Sequence, residues 1–239
     1  MNHEKLIIDW TQTITYNTIM ALLVGVSLIS IANIGKNLLK KENINPTGWS
    51  LNLAVLGLIL SVTGLHMTLT WPLAKYFPFD NIIFGEPTLA FGVLNLVLSF
   101  YIWKHRDEIL KQENPLKYVA NHLKIFKILF YALGLMLTSI FFAGVDFQFF
   151  AAPKEEPISG SFADYPWLEA WGLSLVFLGV GIASVLTARF TERAAKETYK
   201  ADLVDKLGYV ALMITGWFFL LFGAFNYYTH IGLILNTMK

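Results

Sequence analysis

Six hydrophobic runs, each long enough to cross a bilayer as a helix and uncharged through its interior, constrain this chain more than any motif in it. A bilayer core about 30 Å thick needs roughly 20 mainly apolar residues in helical form. With no water there to satisfy backbone groups, an unbroken apolar run of that length closes its hydrogen bonds within itself as a helix. The runs place spans at about 13–35, 50–72, 87–104, 124–147, 167–189 and 207–231. The expected fold is all-α, a six-span transmembrane helix bundle forming one integral membrane domain over residues 1–239. The third span is the shortest.

Composition agrees with a bilayer as the main partner. Hydrophobic residues make up 55% of the chain and charged residues 15%, with a mean hydropathy of +0.53, too apolar for an ordinary soluble domain. A net charge of +1 leaves no basic stripe for nucleic acid. The absence of cysteine removes thiolate metal sites, Cys-ligated clusters and Cys nucleophiles. The first thirteen residues, MNHEKLIIDWTQT, lack the basic start and small-residue cleavage site of a secretory signal, so the first run is expected to be a true span.

Orientation follows from the connections, because cytoplasmic loops retain Lys and Arg during insertion. Lys36, Lys40 and Lys41 follow the first span, and Lys104, Arg106, Lys111, Lys117, Lys124 and Lys127 follow the third. Arg189, Arg193, Lys196, Lys200 and Lys206 follow the fifth, leaving Lys5, Lys75, Lys154 and Lys239 for the opposite side. Both termini are expected outside a plasma membrane. The two larger cytoplasmic connections mix both signs at helical spacing and read as membrane helices extended into water, with a docking surface as the alternative. The connection DFQFFAAPKEEPISGSFADYPW reads as a lid over the bundle or as a Phe-rich turn in the headgroup region.

Two patterns concern packing. Glycines recur seven apart at Gly57/Gly64, Gly172/Gly179 and Gly216/Gly223, which places each pair on one helix face where backbones can approach. LGLILS at 56–61 resembles LGLMLT at 133–138, and Phe91–Gly92 resembles Trp171–Gly172, a weak internal repeat of one helical hairpin.

The chemistry rests on a few polar residues in the outer half of the spans. His66 falls within the second span, where ionisable groups usually face the bundle interior and serve a function; the alternative is a neutral imidazole bonded to Thr63 or Thr70. Glu86 precedes Pro87, which also suits ordinary helix capping. Asp146, Glu169 and His230 stand at helix ends, with Tyr16, Asn81 and Asn226 as supporting polar groups. If they converge, His66, Glu86, Asp146, Glu169 and His230 would suit a transition metal such as iron, manganese, zinc or copper. Haem between His66 and His230, or between His105 and His122 on the inner side, is a lesser alternative. No HExxH, GxSxG or phosphate-loop pattern occurs, so whether the chain is an enzyme stays open. Three functions remain: binding of a metal or redox cofactor, passage of a small solute or ion through the same site, and service as an accessory subunit with a membrane-protein partner or as a homo-oligomer.

The stretch GLHMTLTWPL, followed by a short loop and NIIFGEPTLAFG, resembles the membrane-protein family catalogued as domain of unknown function 981. The resemblance implies a bacterial or archaeal multi-span protein and marks His66, Asn81, Gly85, Glu86 and Pro87. It implies no reaction.

Overall fold

The computed structural model describes residues 6–12, 17–73 and 75–238. Six helices long and apolar enough to span a membrane run Asn17–Lys40, Pro46–Leu69, Asn81–Lys104, Pro115–Phe147, Pro166–Ala194 and Leu203–Thr237. We label the helices α1 (Asn17–Lys40), α2 (Pro46–Leu69), α3 (Glu86–Lys104), α4 (Arg106–Lys111), α5 (Pro115–Leu123), α6 (Lys127–Phe147), α7 (Pro166–Ala194) and α8 (Leu203–Thr237).

Local chemistry explains why the boundaries differ from those expected. Helix α2 starts at Pro46 rather than residue 50 because the Asn45 side chain accepts from Gly48 N at 3.0 Å, with proline at the first helical position. Asn114 and Pro115 start α5 in the same way. Asp202 and Asp205 form a capping box that starts α8 at Leu203. The third span is not short, because a π-helical turn, Asn81–Gly85, leads directly into α3. Pro87 has no N–H and its ring crowds the carbonyl four residues back, so the wider turn relieves the clash within a continuous helix.

The spans associate as three tight pairs, α2 with α3, α1 with α8, and α6 with α7; α1–α2 and α7–α8 contacts join the pairs. Their order around the bundle is therefore α3, α2, α1, α8, α7, α6. In the α2–α3 pair one row of buried positions on α2 falls at 46, 50, 53, 57, 60, 64 and 67, with Leu56 buried beside it. The matching row on the partner span falls at 81, 85, 88, 92, 95, 99 and 102, while Ile83 is buried off the row in a cluster with Leu137, Ile140 and Phe177. This alternation of four and three is a heptad seam, filled here largely by small residues that let membrane helices approach. A Cβ on Gly57 would lie 2.8 Å from Leu96 N, and one on Gly92 would lie 2.5 Å from Ser61 N. Ser50 and Ser99 exchange hydroxyl-to-carbonyl bonds across the seam at 3.0 and 2.8 Å.

Gly25 and Gly223 allow the same closeness between α1 and α8, and Gly134 meets Gly181 between α6 and α7. Gly172, by contrast, has nothing near the position of a Cβ. It is therefore no counterpart of Gly92, and the two hairpins share small-residue packing without the Trp171–Gly172 correspondence. Asn95 donates to Phe91 O of its own helix at 2.9 Å rather than across an interface.

The basic end is closed by α4 and α5, which fold under the bundle instead of extending into water. Leu116, Val119 and Ala120 form an apolar stripe buried against Ile34, Leu38, Leu53, Ile102 and Ala194. Lys127 bonds Glu192 at 2.6 Å, and Lys117 pairs with Glu197. Between α7 and α8, Arg189 reaches Asp202 and Asp205 at 2.6 and 2.8 Å, and Arg193 reaches Asp205 at 2.7 Å. At the other end Ile8 N donates to Thr237 O at 3.1 Å, so the stretch around Ile8 sits against the end of α8. The 148–165 connection folds back over this end, where Asn236 donates to Glu155 O at 2.8 Å.

Candidate functional site

The bundle holds a cavity of about 550 Å³ lined by five of the six spans, all but α2. Along α7 its wall runs from Glu169 to Thr191, roughly 33 Å at 1.5 Å per residue, about the thickness of a bilayer core. Spread over that length, the volume is a slender space rather than a globular chamber.

Most of the wall is aliphatic or aromatic, including Val24, Leu28, Leu94, Leu133 and Val180. Towards the end bearing the termini, Phe150 stacks on Phe177 at 5.4 Å, and Phe84 and Phe219 flank Phe177 at 6.4 and 5.9 Å. The 148–165 connection supplies Phe149 and Phe150, so it contributes to the cavity as well as covering it.

Polar groups gather at the two ends of this space. At the end bearing the termini, Asp80, Glu156, Glu169, Asn226 and His230 line the wall. Glu169 accepts from Ala152 N at 2.6 Å, which fixes its carboxylate on the cover segment. His230 Nδ1 lies 2.9 Å from Asn226 O, one turn back on α8, and so donates to it. Asp80 is only 8% exposed, and burial pushes its carboxyl up to about 7. At the basic end Tyr101 and His122 line the wall. They belong to a box of four rings in which the Tyr101 hydroxyl is 3.0 Å from His122 Nδ1 and the Tyr118 hydroxyl is 3.1 Å from His105 Nδ1. The two imidazoles lie with centroids 5.6 Å apart and their planes tilted by 30°.

Of the residues singled out from sequence, Glu169, His230 and Asn226 are brought to one end of the cavity. His66, Glu86 and Asp146 are exposed and are not among its lining residues. Asn81 is buried and structural: its amide donates to Met67 O and accepts from Leu73 N at 2.9 Å. The Thr70 hydroxyl donates to the backbone carbonyl of His66. Tyr16 lies outside the described residues. Among the described residues no group of three His, Asp or Glu stands close enough to hold a metal ion.

Sequence reasoning missed Asp80 and Glu156 as lining residues; His122, read with His105 only as a lesser haem pair, is exposed and also lines the cavity end. One signal for His66 and Glu86 was available. Each stands one position off the heptad seam, beside Met67 and Gly85, and so turns about 100° away from it.

Six helices apolar and long enough to span a membrane, five of them lining an internal cavity, give the architecture of a multi-pass membrane protein. The chain belongs to the family described as protein of unknown function (DUF981), whose model matches residues 12–232. Comparison with curated proteins and with solved structures found no match.

Proposed function

We propose that the protein binds a hydrophobic, chain-like small molecule inside the bundle, as a single domain of the plasma membrane with both termini outside. The supporting observation is the cavity itself: bilayer-length, walled mostly by apolar side chains, with its ionisable groups towards its two ends. Its volume of about 550 Å³ lies within the range of small-molecule sites. An apolar chain gains burial along the wall, while the end groups meet whatever polar atoms it carries. A redox-active organic molecule would suit the space. A metal at the sequence-derived residues is not part of this reading, because His66, Glu86 and Asp146 lie away from Glu169 and His230 along the cavity wall.

Passage across the membrane is the second reading, favoured by the reach of the lining from Glu156 and His230 at one end to Tyr101 and His122 at the other. The deciding experiment is mass spectrometry of organic extracts from protein purified in mild detergent, wild type beside Leu94→Trp, which fills the cavity. A hydrophobic species enriched over the surrounding lipid at near one per chain, and lost in a Leu94→Trp protein of unchanged thermal unfolding, supports binding. Wild type carrying only bulk lipid in bulk proportions overturns it.

A further inference from the structure

The two ends of the cavity differ in chemistry, and the difference selects a head group. The end bearing the termini presents three carboxyl groups, Asp80, Glu156 and Glu169, beside one imidazole, His230. The basic end presents no carboxyl group among its lining residues: Tyr101 and His122 stand there with Ser184, Thr187 and Thr191.

Hydrogen bonding fixes what Tyr101 and His122 can offer. His122 Nδ1 is 3.0 Å from the carbonyl oxygen of Tyr118 and 3.0 Å from the Tyr101 hydroxyl. A carbonyl only accepts, so Nδ1 carries the hydrogen and Nε2 is the basic nitrogen of the neutral ring. The Tyr101 oxygen shares that hydrogen as a second acceptor, which leaves its own O–H free to donate. The pair therefore combines one donor and one base. His105 and Tyr118 brace it: the Tyr118 hydroxyl is 3.1 Å from His105 Nδ1, and the two imidazoles lie against each other at a 30° tilt. Glu108 stands 4.0 Å from His105 Nδ1 and is not among the cavity's lining residues.

A donor beside a base is the complement of a carboxylic acid, whose carbonyl accepts from the tyrosine while its O–H donates to the imidazole. Passing that proton to Nε2 yields a carboxylate and an imidazolium joined by a charge-assisted bond. We propose that the cavity takes a long-chain carboxylic acid, with its carboxyl group on Tyr101 and His122 and its chain running towards the Phe84–Phe150–Phe177 cluster. The opposite orientation would place a carboxylate against Asp80, Glu156 and Glu169. This assignment rests on the cavity-binding reading and adds the class and direction of the ligand.

The test is equilibrium binding of radiolabelled hexadecanoic acid to the detergent-solubilised full chain, with hexadecanol and hexadecylamine as unlabelled competitors. Wild type is compared with Tyr101→Phe and His122→Gln, each checked for unchanged thermal unfolding. Expected are preference for the acid over the alcohol and about tenfold weaker acid binding in each variant. Acid and alcohol binding alike, with the variants indifferent, overturns the head-group assignment and leaves cavity binding standing. Preference for the amine overturns it by moving the head to the acidic end. If none of the three binds, the cavity reading fails with it.

Discussion

The Asn81 side chain accepts a hydrogen bond from Leu73 N at 2.9 Å while its amide hydrogen reaches the carbonyl of Met67. One buried residue thus joins the end of α2, the turn beyond Pro72 and the start of the third span. Replacing Asn81 by Leu leaves both backbone groups without that partner, at about 1–3 kcal/mol for each that stays buried. Thermal unfolding of Asn81→Leu in detergent is expected to fall well below wild type. Glu86→Gln, at an exposed position five residues on, is expected to match wild type.

Glycines of the seam and glycines off it respond in opposite directions. Gly92→Val presses a side chain onto the Ser61 backbone and is expected to cost roughly 1–3 kcal/mol or more by overpacking. Gly172→Ala meets open space within a helix and is expected to be neutral or stabilising by roughly 0.5–1 kcal/mol. The measurement is the unfolding midpoint of both variants under one detergent condition.

Asp80 makes stability depend on pH. Burial raises its carboxyl to about 7, so the folded state favours the protonated form. That contribution is complete below the ordinary carboxylate range near pH 4 and is lost as pH rises through about 7. Asp80→Asn is expected to unfold at a higher temperature than wild type at pH 8 and at a similar temperature at pH 4. An equal offset at both pH values counts against this account.

The Arg189–Asp202 pair works with the opposite sign. The Arg189 guanidinium holds the Asp202 carboxyl well below its usual range, so its contribution is present above about pH 4 and is lost as pH falls below that. Asp205 stands beside it, accepting from Arg189 and Arg193. Asp205→Asn is expected to loosen the 195–202 connection and to speed tryptic cleavage at Lys196 and Lys200, read as the half-life of the full-length band.

The proposed orientation can be read with single cysteines, since the chain has none of its own. Lys154→Cys is expected to react with a membrane-impermeant maleimide on intact cells, and Glu113→Cys only after lysis. The reverse pattern inverts the topology and would put the acidic end of the cavity in the cytoplasm.

Sequence determined the membrane class, the six spans and the clustering of Lys and Arg in alternate connections, because bilayer thickness and insertion chemistry act on local composition. It also carried the α2–α3 seam, since positions four and three apart share a face whatever lies opposite. Tertiary structure alone decided which faces found partners. The pairing of α1 with α8 joins the two ends of the chain, and no local pattern encodes a contact so distant in sequence. His66 was expected to point inward because ionisable groups within spans usually do, with Glu86 beside it at a helix start. The seam instead buried Met67 and Gly85 and left their neighbours on the outer flank. Asp80, Glu169 and His230 share a cavity, and Tyr101 meets His122, only because α4 and α5 turn under the bundle and the 148–165 connection folds over it. Those closures bury apolar stripes against helices far away in sequence, and that burial placed the polar groups together.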